Sequence, residues 1–223
     1  MKRMNVTRKG GMLLMTFAIS SNALAGTPEL EGNATSSNSV KPHRILVMGM
    51  QDNVKSNYFV TDMLAENTHI QEDSVCYIYN KVIEDNLAQL AQKSKLPYTF
   101  VYGKNVQDNN QELLDDIKTI GEAENQSSDL AFVNCNKLKG MLEQVGADYL
   151  LLLDSHYLKY QEEPFKTIFH YVNYSLYDAN KKKLGQGSNY FTSINPQTEQ
   201  QMIKSSKKST AKMLEDLESK LQK

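Results

Sequence analysis

The sequence predicts an α/β (α+β) fold: a single mixed β-sheet with flanking helices, a late antiparallel meander and a C-terminal helix. Two continuous apolar runs, residues 44–50 and 148–154, have the texture of strands covered on both faces. Between them apolar residues recur at helical spacing. After them, two segments of period-two texture follow one another across short turn signals. Strands alternating with helices first, then a meander, belong to the layered mixed-sheet architectures.

The chain opens on a different kind of segment. Lys2, Arg3, Arg8 and Lys9 surround the start of an apolar run at 12–19, and no acidic residue appears before Glu29. Ala23-Leu24-Ala25 then supplies small residues at −3 and −1 of a cleavage point, so residues 1–25 read as a secretory signal peptide. The run is too short to span a bilayer, which takes ~20 apolar residues. A buried amino-terminal helix would not explain the charge asymmetry. The expected location is periplasmic or extracellular, after cleavage near Ala25, with no transmembrane segment. No Cys stands at the cleavage point, which argues against a lipid anchor. Residues 26–43, rich in Gly, Thr, Pro, Asn and Ser, are expected to be a flexible lead-in. Residues 44–223 are then long enough for one domain with its own core.

Removing residues 1–25 changes the charge balance. The whole chain has 25 Lys+Arg and 26 Asp+Glu; without the four basic residues of the signal, 21 basic face 26 acidic residues, a net −5. A mildly acidic domain lacks the basic face that phosphate neutralisation requires, so nucleic acid is not an expected partner.

Each element follows in order. Residues 44–50 form the first strand, ended by Gln51-Asp52-Asn53, and residues 57–66 fit a short helix. The β-branched and aromatic run 74–79 predicts a second strand. Val82, Ile83, Leu87, Leu90 and Ala91 make one apolar stripe on a helix over 81–95. Pro97 closes it, and residues 98–102 read as a third strand. Residues 103–129 are polar, with a helix compatible at 112–120 and a loop at 121–128. A second good helix over 130–145 is stopped by Gly146 in the usual capping position. The most apolar segment follows and predicts a central strand over 148–160. Residues 161–164 turn, 165–177 make the next strand, and Asp178-Ala179-Asn180 turns again. Gly185 and Gly187 weaken or bulge the last strand, 183–192. After Pro196 a helix carries Ile203, Thr210, Leu214, Leu217 and Leu221 on one face.

Cys76 and Cys135 are the only cysteines. In an oxidising compartment they form a possible disulfide, although Cys76 is equally an ordinary small hydrophobe in its run. Neither has a Cys-x-x-Cys or zinc-type spacing.

Ile45-Leu46-Val47-Met48, the helix end 138–145 leading into Gly146-Ala147-Asp148-Tyr149-Leu150-Leu151, and the late hairpin around Asp178-Ala179-Asn180 carry a resemblance. Over roughly residues 44–222 this layout resembles the periplasmic domains grouped with the TolB amino-terminal domain, the CsgG-like domains and the outer-membrane activators of penicillin-binding proteins. The resemblance implies an envelope assembly or interaction module and no enzyme. It carries over no ligand residues, and the missing lipobox Cys departs from the lipoprotein members.

The search for catalytic chemistry turns up little. The histidines are His43, His69, His156 and His170, and no His-Glu-x-x-His is present. If strands 148–160 and 165–177 pair through the turn between them, His156 faces His170 and Asp154 stands two residues away on the same face. Asp154, His156 and His170 would then be a candidate metal set, which a one-residue register change would break. Ser155 and His156 point to opposite sides of a strand, so no Ser-His-Asp triad forms, and the Gly-x-Ser-x-Gly elbow is absent. Gly185-Gln186-Gly187 lacks a Walker Lys. Met48-Gly49-Met50-Gln51 ends the first strand where α/β ligands often sit, but its single Gly argues against a nucleotide. Asp115-Asp116 and Glu162-Glu163 read as solvating charges.

Twelve Tyr and no Trp leave a last signal. Tyr157, Tyr171, Tyr177 and Tyr190 lie on the late strands. They are either a ligand or partner surface or rings that tile the sheet–helix interface. The sequence therefore predicts an exported, non-enzymatic cell-envelope interaction or assembly module, with an envelope protein or glycan as partner and no cofactor. The alternatives are a secreted metal-dependent hydrolase using Asp154, His156 and His170, or a small-ligand or glycan-binding domain.

Overall fold

The computed structural model describes residues 42–57, 65–66, 68–94, 96–102, 104–165, 167–193 and 199–222. They fall in one compact unit, Val40–Lys223. The expected signal peptide, nearly all of the expected lead-in and most of the expected helix at 57–66 lie outside the described residues.

In chain order the strands are β1 (His43–Gly49), β2 (Val54–Ser56), β3 (Tyr98–Tyr102), β4 (Lys118–Ile120), β5 (Ser127–Asp129), β6 (Tyr149–Gln161), β7 (Thr167–Asp178) and β8 (Lys183–Ser193). The helices are α1 (Val75–Ser94), α2 (Lys104–Asn109), α3 (Gln111–Asp115), α4 (Cys135–Val145) and α5 (Glu199–Leu221). The main sheet has the order β3-β1-β6-β7-β8. β3, β1 and β6 run parallel, while β6, β7 and β8 form the antiparallel meander. The mixed α+β sheet that the sequence predicts is therefore present, with its C-terminal helix.

Both faces of the parallel part are covered, which is why its strands read as unbroken apolar runs. On one face Leu46, Met48, Leu150, Leu152 and Tyr177 pack with Leu138, Met141 and Leu142 of α4. On the other, Ile45, Val47, Leu151, Leu153 and Tyr174 pack with Ile83 and Leu87 of α1 and Met213, Leu214 and Leu217 of α5. A third cluster joins Val75, Tyr79 and Val82 of α1 to Val54, Leu158 and Ile168. No helix among the described residues is long and apolar enough to cross a membrane.

Residues 74–79 correct the sequence expectation. They are not a strand but the 3-10 turn Glu72–Ser74 and the first turns of α1. Val75, Tyr79, Val82, Ile83 and Leu87 are all buried, at a helical spacing that continues the stripe, whereas Tyr77 is 48% exposed. Helical period and tertiary burial override local β-propensity here. The loop expected at 121–128 contains the start of β5, whose three-residue pairing with β4 is too short to show a period. Helix α4 begins later than expected, because Asn134 caps it by accepting from the backbone N–H groups of Asn136 and Lys137. Gly146 ends it in the left-handed conformation, φ 62°, as its position predicts.

Beyond Gly49 the line of β1 is taken up by β2, which also pairs parallel to β6. This keeps β6 paired on both sides over most of its 13 residues and extends the sheet past β1. The far end of β6, β7 and β8 carries the residues of interest.

Candidate functional site

The β6–β7 register pairs Leu153 with Tyr174 and Ser155 with Asn173, so Asp154 is the extra residue of a β-bulge. The bulge resets the alternation of side chains. Asp154 turns to the α4 face, where the hydroxyls of Ser128 and Ser175 both donate to its carboxylate. Ser155 points the same way and receives a hydrogen bond from Asn173 at 2.7 Å. His156 falls on the opposite face, against α1, with its Nε2 at 3.0 Å from Asn80 Oδ1.

The metal set expected from the sequence is therefore not assembled. His156 pairs with Val172 and His170 with Leu158, so the imidazoles share a face but stand diagonally, two residues out of register. His170 is bonded through Nε2 to Ser193 Oγ. Asp154 lies on the other side of the sheet from both. Among the described residues no cluster of three His, Cys, Asp or Glu could hold a metal ion. One inserted residue accounts for this, since the alternation assumed for an unbroken strand fails at it.

Burial governs the charge state of all three groups. It lifts the Asp154 carboxyl to about 6, against the opposing pull of the two serine hydroxyls and Lys183. It lowers His156 to about 3 and His170 to about 4, so both are neutral at pH 7. Asn80 Oδ1 can only accept, so His156 carries its proton on Nε2. Asn53 Nδ2 donates to the same oxygen and to the Leu153 carbonyl, each at 3.0 Å. These networks tie α1 and the β4–β5 segment to the bulge. They hold the fold in register and contain no nucleophile–base pair.

Three of the four singled-out tyrosines do come together. Lys55, Tyr157, Tyr171 and Tyr190 are consecutive register partners across β2, β6, β7 and β8, on the α4 side of the sheet but beyond α4. Ring centres are 6.1 Å apart for Tyr157–Tyr171 and 5.2 Å for Tyr171–Tyr190. Phe169, in the next row, lies 5.6 Å from Tyr190. None of these four rings belongs to a core cluster. Tyr157, Phe169 and Tyr171 are half-buried and Tyr190 is 43% exposed. Sequence reasoning missed Phe169, although its period-two place beside Tyr171 could have signalled it.

Tyr177 is the exception. It is buried in the α4-side cluster, its hydroxyl donates to the Ser128 carbonyl, and it takes no part in the aromatic row. Polar groups border the row instead. Lys159 pairs with Glu124 at 2.7 Å and Lys55 donates to Gln126. Asn173 and Ser188 donate to the carbonyls of Ala123 and Glu124, clamping the turn that precedes β5 against the sheet.

Cys76 and Cys135 are free thiols, so the possible disulfide is not formed. Cys76 packs on the α1 side at the third cluster, whereas Cys135 begins α4 and points at the Ala179 carbonyl. The sheet stands between them.

No protein-family model matches the chain, and no curated protein does so at significance. One solved structure with similarity is a hypothetical protein of Chlamydia trachomatis, at 11% identity over 68% of this chain and 73% of that one, with a TM-score of 0.37.

Proposed function

We propose that this chain is an exported, non-catalytic interaction module of the cell envelope, and that it holds a protein partner on the aromatic row Tyr157–Tyr171–Tyr190 with Phe169. The row itself carries this reading. Four aromatic rings outside every core cluster, on the end of a sheet, do nothing for the fold that smaller polar residues would not do. Tyr and Phe give large contact area at low entropy cost, which suits an interface. Only Phe169 and Tyr171 stack, at 26°; the other pairs are tilted by 36° to 53°, so the row offers mixed edges and faces more than one flat shelf for a sugar ring. β8 is the edge of the sheet beside them, and Lys212 of α5 already donates to its Tyr190 carbonyl, so the side chains of the row, not edge pairing, carry the contact. The basic-then-apolar start of the sequence and the resemblance to periplasmic assembly domains support the envelope as the setting.

The test is crosslinking in intact cells, followed by purification and mass spectrometry. A photoreactive residue at position 190 is expected to trap a discrete protein band, and one at exposed Phe132, on the turn before α4, is not. With the photoreactive residue kept at position 190, Tyr157→Ala with Tyr171→Ala should abolish the band while the protein's melting temperature shifts little. Crosslinks to glycan alone, or identical bands from both positions, would overturn the proposal.

A further inference from the structure

A cavity of ≈660 Å³ opens at the carboxyl ends of β1 and β3, on the flank of α1, well away from the aromatic row. Carboxyl ends of parallel strands are where open α/β sheets place their ligands, and this volume lies in the range of small-molecule sites. Four carboxylates line it, from Asp52, Asp73, Glu84 and Asp108, against one cation, Lys81. Lys81 is itself engaged by Asp85 at 3.4 Å. The rings of Tyr77 and Tyr102 form part of the wall.

Glu84 distinguishes this cavity from an acidic patch of surface. Its carboxylate is largely withdrawn from water, yet among the described residues nothing donates a hydrogen bond to it and no ion pair reaches it. Burial pushes the carboxyl up to about 7, with Lys81 drawing it back and Asp85 adding to the rise. The helix backbone that carries it is anchored, because the Tyr102 hydroxyl donates to the main-chain carbonyl of Glu84 at 2.6 Å. The floor is fixed too. Asn80 is held by Asn53 and His156 and packs flat on Gly49, where a Cβ would come within 2.2 Å of it.

We infer that this cavity binds a linear aliphatic di- or polyamine, its ammonium groups on Glu84 and the rim aspartates and its methylenes against Tyr77 and Tyr102. An anion is excluded by the sign of the lining. A bound metal ion would need donors converging on one point, and among the described residues no group of three does so. Carboxylates contributed from separate segments, Asp52 after β1, Asp73 just before α1, Glu84 within it and Asp108 in α2, match separated positive charges instead. Tyrosine faces stabilise an ammonium group and tolerate a methylene chain equally well.

Calorimetric titration of the purified chain with spermidine, at constant ionic strength, tests the inference. Saturable one-to-one binding is expected. Glu84→Gln should weaken it about tenfold or more, as expected for a charge contact out of water, and Tyr77→Ala by a smaller factor. Glu215→Gln, an equal charge change on exposed α5, should leave it unaltered. Tyr77 is half exposed, so its variant keeps the test valid if Glu84→Gln fails to fold. Absence of saturation into the millimolar range, equal weakening by Glu84→Gln and Glu215→Gln, or equally tight binding of magnesium would each overturn the inference.

Discussion

At Asp154, His156 and His170, burial acts on acids and bases in opposite senses, and this sets how the fold responds to pH. The two imidazoles have folded pKa values, about 3 and about 4, below their ordinary value, so the unfolded chain binds protons first. Their contribution to stability is complete above about pH 6.5 and is lost progressively below it. Asp154 works the other way. Its folded pKa is raised to about 6, so the folded state binds the proton more tightly and stability declines between about pH 4 and pH 6 as the group ionises. With two histidines against one aspartate, net stability should fall with acid, seen as a falling denaturant midpoint from about pH 6.5 to pH 4. Asp154→Asn removes the opposing share. It should match or exceed the parent at pH 7, by up to roughly 3 kcal/mol, and lose that advantage near pH 4. A difference between variant and parent that is flat across this range would contradict the account. Gly49→Ala is the second test at this scale. Asn80 is pinned and cannot swing away from a new Cβ, so a loss of about 1–3 kcal/mol is expected from chemical unfolding. That Asp154, His156 and His170 fall on one strand pair was legible in the spacing. The bulge was not, because residues 150–158 contain no Gly or Pro to announce an inserted residue, and the unbroken leucines before Asp154 give no alternation that could show a slip.

Among the elements, the apolar strands β1 and β6 and the capped end of α4 were legible because each is dictated locally, by an unbroken apolar run or by a glycine that must adopt positive φ. The first turns of α1 were not legible. Val75, Tyr77, Ile78 and Tyr79 favour a strand locally, and only the partners supplied by β2, Leu158 and Ile168 make the helical stripe the better burial. The seating of α5 depends on a similarly non-local fit. Gly187 allows Tyr174 and Asp216 to close over β8, where a Cβ would stand 2.4 Å from Asp216 and 2.6 Å from the Tyr174 ring. Tyr174 donates to Asp216, which also pairs with Lys220, each at 2.5 Å, so neither can move alone. Gly187→Ala should therefore lift α5 off the edge strand and cost about 1–3 kcal/mol. Faster amide exchange in residues 213–221 than in α4 would locate the damage; unchanged exchange there would contradict the assignment.

Over the whole molecule the sheet keeps the two thiols apart, and this has a measurable outcome. The purified protein should show two reactive thiols without reductant and the same melting temperature with or without it. A lower melting temperature on reduction would mean that the chain can bring Cys76 and Cys135 together after all. The aromatic row was half legible at this scale. The abundance of Tyr on the late strands announced sheet-face rings, but which of them the helices cover depends on where α4 stops. Tyr177 falls beneath it, while Tyr157, Tyr171 and Tyr190 lie beyond.

The extension of β6, β7 and β8 past β1 has a last consequence, for how such a domain diversifies. The four rings of the aromatic row on that extension are absent from every core cluster, so substitutions among them remove little packing from the interior. On the proposed function, a lineage carrying this fold could exchange one partner for another by editing a few positions on the overhang. The buried runs beneath, where both faces are filled, have no comparable latitude. Descendants of one ancestor would then keep the scaffold and diverge fastest at the surface that meets the outside world.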